Sequence, residues 1–174
     1  MRSIAAIGTE ALDELVDTVL WTSTHRFSAL HGEHHWQCVA AAGAGLAAEL
    51  PAADPLVVFL FALFHDAMRA NDEDDPGHGR RGGLLARELL GDRLLVDDAR
   101  LHLLEEACSR HTDGVVSLDP TLGACWDADR LNLWRVGIRP DPRFLSTPAA
   151  REPERIEAAK LLQHRSFEWP ELYP

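Results

Sequence analysis

Leu56–Phe64 is a run of nine consecutive apolar residues that ends directly on His65 and Asp66. Nine fall far short of the roughly 20 that span a bilayer, so the run belongs inside a protein core. Asp54-Pro55 ahead of it supplies an N-cap and a first-turn proline, and the spacing predicts a buried helix to about Ala70. An ionised carboxylate on such a helix costs on the order of several kcal/mol unless it is paired, hydrogen-bonded or bound to a metal. Whatever fold the chain takes must therefore bring partners to Asp66.

Helical periodicity dominates the remainder, and no run alternates convincingly in the manner of a strand. Thr9 is placed to cap a helix through about Trp21, with Leu12, Leu15, Val16 and Val19 on one face. Further helices are expected over about 34–50, 78–90, 95–111 and, after the cap signal Asp119-Pro120, to about Trp134. Asn71–Gly77 reads as a solvated acidic loop without calcium-loop spacing. Gly137–Pro148 reads as extended, and a last helix is expected from Pro148 to Arg165. The chain of 174 residues suffices for one domain and hardly for two. The expectation is an all-α, single-domain helical bundle over residues 1–174.

Residues three, four or seven apart share a helix face. His35 lies in a row with Val39, Ala42 and Leu46, and Asp129 in one with Leu122, Trp126 and Leu133. Asp127 is off that stripe, which makes Asp129 the better inward carboxylate. His78 heads a row with Gly82, Leu85 and Leu89, and His111 closes one with Leu104 and Cys108. With His65 and Asp66, six residues of metal-ligating type thus point at the core. Separately buried, each would need its own partner, whereas one shared metal site satisfies them together.

Other chemistries find no support. His31 and His35 are separated by Gly32-Glu33-His34, which breaks the zinc-protease pattern. There is no lysine-containing phosphate loop, no GxSxG and no CxxC. Cys38, Cys108 and Cys125 read as buried thiols.

The order His35, His65-Asp66, Asp129 resembles the H…HD…D pattern of the HD-domain superfamily of metal-dependent phosphohydrolases. Residues 31–39 (HGEHHWQCV), 59–69 (FLFALFHDAMR) and 126–133 (WDADRLNL) carry the resemblance. It covers about residues 25–140 and leaves 141–174 as a C-terminal extension. His78 and Arg110-His111-Thr-Asp-Gly are similar to the branch that holds two metals. Ala67-Met68-Arg69 stands where glycine-lysine often follows the HD pair, and the GYP motif of cyclic-di-GMP phosphodiesterases is absent.

The resemblance implies one metal held by His35, His65, Asp66 and Asp129, and a second completed by His78 and His111 with Asp66 bridging. The ions expected are divalent Fe, Mn, Zn, Ni, Co or Mg. The implied activity is hydrolysis of a small phosphorylated, nucleotide-like substrate by metal-activated water. Asp66, Asp72, Arg69 and Arg130 are the catalytic candidates, and His31, His34, Arg80 and Arg81 the substrate-binding ones. The alternatives are a di-iron oxygenase on the same fold, or a metal-containing module that binds without turnover.

Net charge bounds the partners. Seventeen basic against 28 acidic residues give a formal charge of -11, which argues against a nucleic-acid polymer or an anionic membrane as partner. A small anionic substrate remains open, because a metal and a few arginines can reverse the local field. Met1–Trp21 has the composition of neither a signal nor a transit peptide, so the expected location is the cytoplasm.

Overall fold

The computed structural model describes residues 8–91 and 96–174. At its centre lies the apolar run, as helix α3 (Pro55–Phe64), in which every residue from Val57 to Phe64 is buried. The Asp54 side chain starts it by accepting from the backbone N–H groups of Leu56 and Val57 at 3.0 and 3.3 Å. Pro55 fills the first turn, where its missing N–H costs nothing.

Helices α2 (Glu33–Glu49), α5 (Asp98–Arg110) and α6 (Pro120–Leu131) pack around α3, and α4 (His78–Ala86) lies along α5. Helix α1 (Thr9–Thr22) buries Leu12, Leu15, Val16 and Val19, the face read from its periodicity. Among the described residues there is no strand, and no helix long and apolar enough to cross a membrane. The fold is the all-α bundle expected. Cys38, Cys108 and Cys125 are buried and unbridged.

Several boundaries differ from the sequence reading, each for a local reason. Gly8, not Thr9, is the N-cap of α1, and it makes no side-chain cap bond. Helix α3 stops at Phe64 instead of continuing to Ala70. Beyond it the chain tightens into turns, with Ala67 N–H donating to Phe64 O at 3.2 Å and Arg69 N–H to Asp66 O at 3.1 Å. Ala67 and Met68 prolong the apolar pattern, so periodicity does not reveal the stop.

The start expected at Leu95 lies outside the described residues; α5 begins at Asp98, with Asp97 accepting from Arg100 N–H at 2.9 Å. Helix α6 is capped by Asp119 as expected, but it gives way at Leu131 to a 3₁₀ turn, Asn132–Val136. The final helix splits into α7 (Pro148–Arg151), α8 (Pro153–Ala159) and the 3₁₀ turn Lys160–His164. Pro153 causes the first break, because a proline cannot donate and drives the preceding residue, Glu152, out of helical geometry.

Helix α4 meets the end of α3 backbone to backbone. A Cβ on Gly82 would lie 2.1 Å from Phe64 O, and one on Gly79 2.1 Å from Cys108 O. Only glycine permits this approach, which sets His78 beside Asp66. Gly82→Ala is therefore expected to cost about 1–3 kcal/mol through forced backbone displacement, read as a lower midpoint in urea unfolding. The exposed control Arg80→Ala is expected to leave the midpoint within about 0.5 kcal/mol.

Candidate metal centre

The site forms where helix ends converge. His65 follows the last residue of α3, with Asp66 next to it; His78 opens α4; His111 follows the last residue of α5. His35 lies in the first turn of α2 and Asp129 in the last turn of α6. All but Asp129 are buried, and the Asp129 side chain is 15% exposed.

Asp66 divides its two oxygens between two histidine pairs. Oδ2 lies 3.7 Å from both His35 Nε2 and His65 Nε2. Oδ1 lies 3.0 Å from His78 Nε2 and 3.7 Å from His111 Nε2. Within the pairs, the Nε2 atoms of His35 and His65 are 3.2 Å apart, and those of His78 and His111 are 3.0 Å apart. Asp129 Oδ1 borders the first pair, 3.3 Å from His35 Nε2 and 3.9 Å from His65 Nε2.

Backbone carbonyls fix which nitrogen faces inward. His65 Nδ1 donates to Ala62 O at 3.0 Å, His111 Nδ1 to Cys108 O at 2.7 Å, and His78 Nδ1 to Asp75 O. A carbonyl only accepts, so these Nδ1 atoms carry protons and the neutral rings aim Nε2 lone pairs at the carboxylate. In the neutral rings the Nε2 lone pairs of His78 and His111 then face one another and Asp66 Oδ1 with no proton between them. Asp66 Oδ1 is buried and accepts no hydrogen bond, and His35 Nδ1 is buried without a partner.

Such a surplus of acceptors fits a cation. Ligands around a metal at about 2.1 Å stand roughly 3.0–3.4 Å from each other, and the Nε2 pairs have that spacing. The donors form two groups that could each hold an ion, His35-His65-Asp66 and Asp66-His78-His111, with Asp66 common to both.

The electrostatics agree. Burial pushes His65 down to about 3 and, with the Arg135 charge, lowers His35. Burial would raise Asp66, but His65 and the facing imidazoles of His111, His31 and His78 outweigh it and hold the carboxyl well below its usual range. Asp129 is likewise held low, by His35 and Arg135 against burial. Burial would lower His111, yet the bond to Asp66 and the Asp129 and Asp66 charges raise it.

A pocket of about 270 Å³ opens on the cluster. His31 stands in its wall, with Nδ1 3.1 Å from Asp66 Oδ2, and its backbone is pinned by Trp36 Nε1 donating to His31 O at 2.7 Å. Arg69 and Arg130, two of the catalytic candidates, also line it.

The other candidates lie elsewhere. Arg80 is exposed on the side of α4 near Glu105 and Glu106. Arg81 clasps the acidic loop, donating to Asp75 Oδ2 at 2.6 Å and to Met68 O. His34 bonds Gln163 O at 3.2 Å, which turns it towards the C-terminal segment. Asp72 is exposed and accepts from Ser28 Oγ and, at 3.0 Å, from His25 Nε2. None of these four lines the pocket.

Arg135 escaped the sequence reading. It lines the pocket, anchored by Nε to Leu30 O at 2.8 Å and lying 3.9 Å from Asp129 Oδ1. The 3₁₀ turn after α6 changes the helical phase, so no stripe connects Arg135 to Asp129. Asp127 is more deeply buried than Asp129, contrary to the stripe argument, but it faces away from the cluster's histidines. It accepts from Ser146 and Thr147 N–H at 2.6 and 2.7 Å and so holds the segment before α7.

Comparison with protein-family models, with curated proteins and with solved structures gives no match to this chain.

Two outcomes follow from this geometry. Added Mn²⁺ or Zn²⁺ is expected to raise the melting temperature of chelator-treated protein, by about 2.7 kcal/mol of stabilisation at a hundredfold excess over the dissociation constant. Asp66→Ala should abolish the shift. Metal-free protein should also lose stability as pH falls from 6.5 towards 3. In that range unfolded His35 and His65 bind protons that the folded cluster refuses, so stability rises with pH. Urea melts across this range check the sign.

Proposed function

We propose that this chain is a metal-dependent phosphohydrolase of the HD-domain type, acting on a small anionic phosphoester. The observation that carries the reading is Asp66: a buried carboxylate with one oxygen turned to each of two histidine pairs, at the floor of a pocket walled by arginines. His35, His65, Asp66 and Asp129 would hold one ion, and His78 and His111 would complete a second with Asp66 shared. A divalent metal supplies water activation near neutral pH and offsets phosphoryl charge.

The chain's own residues supply the rest. Arg69, Arg130 and Arg135 bring guanidinium charge to the pocket, each suited to phosphate oxygens by its planar fork of donors. Arg69 is held in place by Nε donating to Asn71 O at 3.1 Å and Nη2 to Glu73 O at 2.8 Å. His31 donates Nδ1–H to Asp66 Oδ2, which leaves the Nε2 lone pair to accept from a substrate hydroxyl or from water. Asp72 has no part in proton transfer on this reading, because its carboxylate is engaged by Ser28 and His25 outside the pocket.

Elemental analysis of protein purified without chelators should give one or two metal ions per chain. Phosphate release from p-nitrophenyl phosphate should stop on chelation and return with Mn²⁺, Fe²⁺ or Mg²⁺. Asp66→Ala should remove metal and activity together. Metal-dependent phosphate release retained in that variant defeats the proposal, and dioxygen consumption by iron-loaded protein without phosphate release would assign the oxygenase alternative instead.

A further inference from the structure

The pocket's three arginines are not equivalent. Arg69 stands 3.6 Å from Asp66 Oδ1 and Arg135 3.9 Å from Asp129 Oδ1, so each is paired with a carboxylate of the cluster. Arg69 is on the His78 side and Arg135 on the His35 side, and together they flank the place of reaction. Arg130 forms no ion pair among the described residues. Its guanidinium lies over the Trp126 ring at 5.8 Å, Nη1 donates to Phe144 O at 2.6 Å, and Nη2 has no partner although the residue is only 7% exposed. The Asp127 and Asp129 carboxylates act on it only from beyond ion-pair distance, and a buried guanidinium with an unused N–H is where an anion gains most.

The remaining wall limits what the anion is attached to. Thr112, Gly114 and Leu133 complete it, and among the described residues no Phe, Tyr or Trp lines it on which a base would stack and no Asn or Gln to read its edge. The volume of about 270 Å³ falls just below the usual range for small-molecule pockets, about 300–1,000 Å³.

Resting on the phosphohydrolase reading, we infer that the substrate is a small phosphomonoester without a nucleobase that carries a second anionic group. The phosphoryl group lies between Arg69 and Arg135, and Arg130 holds the second anion. In the reaction the oxygen of water forms the new P–O bond and the ester P–O bond breaks. The leaving alkoxide takes up a proton, giving inorganic phosphate and a small hydroxy anion.

The test uses the metal-loaded full chain. 3-Phosphoglycerate carries a carboxylate as its second anion and 1,3-propanediol bisphosphate a phosphate. Glycerol 3-phosphate matches the first in carbon skeleton but lacks the second charge, and adenosine 5′-monophosphate supplies a base. At least one of the two-anion esters should exceed both controls in kcat/KM by tenfold or more. Arg130→Gln should lower that value ten- to a hundredfold, and far less for glycerol 3-phosphate. Arg130→Lys keeps the charge and serves if the glutamine variant fails to fold.

Binding is measured independently of turnover with the non-hydrolysable pair phosphonoacetate and methylphosphonate. Phosphonoacetate should bind at least tenfold tighter by calorimetry, and the difference should vanish with Arg130. A nucleotide cleaved as well as the two-anion esters, or equal binding of the two phosphonates, overturns the inference while leaving the hydrolase reading intact. A preference for phosphonoacetate without turnover of any phosphoester overturns the hydrolase reading and keeps the assignment of Arg130.

Discussion

A charge that would destabilise the core if left alone organises it. Asp66 is 2% exposed, at the end of the most apolar helix in the chain, and a lone carboxylate there would be prohibitively desolvated. Four histidines from three other segments and the neighbouring His65 surround it, with Arg69 at its rim. The packing follows from that need. Helix α4 reaches close enough for His78 to meet Asp66 only because Gly79 and Gly82 let backbone touch backbone. Breaking one partner of such a group leaves an uncompensated buried charge, which is why the cluster and the fold depend on each other.

The same hydrogen bonds serve helix and site. A helix leaves its last carbonyls without intrahelical partners, and at the ends of α3 and α5 the imidazoles of His65 and His111 supply donors to carbonyls three residues back. By engaging Nδ1, each carbonyl also fixes the orientation of Nε2. Helix termination and ligand orientation are thus one interaction. It places the His65 and His111 imidazoles at helix C-termini, where free carbonyls exist, and not along helix interiors. It also makes the inward nitrogens rigid before any ion arrives, so binding need not order them.

The sequence made the centre of this arrangement legible and its periphery largely illegible. His35, His78 and His111 stand on apolar stripes, and a buried polar residue on a stripe is informative because burial demands a partner. Pattern reading fails where the helix geometry changes. The stop of α3 at Phe64 is hidden by the apolar Ala67 and Met68, and Arg135 is displaced from the α6 stripe by a 3₁₀ turn. Asp127 misled for a related reason. Its partners are backbone N–H groups of Ser146 and Thr147, which no side-chain pattern announces. Arg80 and Arg81 adjoin His78 in sequence, yet neighbours on a helix point 100° apart, and neither lines the pocket.

Net charge gains meaning from the geometry. An overall charge of -11 repels an anion at distance, and at physiological ionic strength that field fades beyond about 8 Å. Inside the pocket the balance reverses, with three guanidinium groups against the carboxylates of Asp66 and Asp129. On the proposed reading, recognition of an anionic substrate would be a short-range event, decided by hydrogen-bond geometry instead of electrostatic steering. Selectivity then lies in how many anionic groups the ligand can present to fixed donors at once. Arg130 matters most on this account, because Arg69 and Arg135 already sit within ion-pair distance of Asp66 and Asp129, whereas Arg130 has no such pair among the described residues and keeps an unused Nη2 donor.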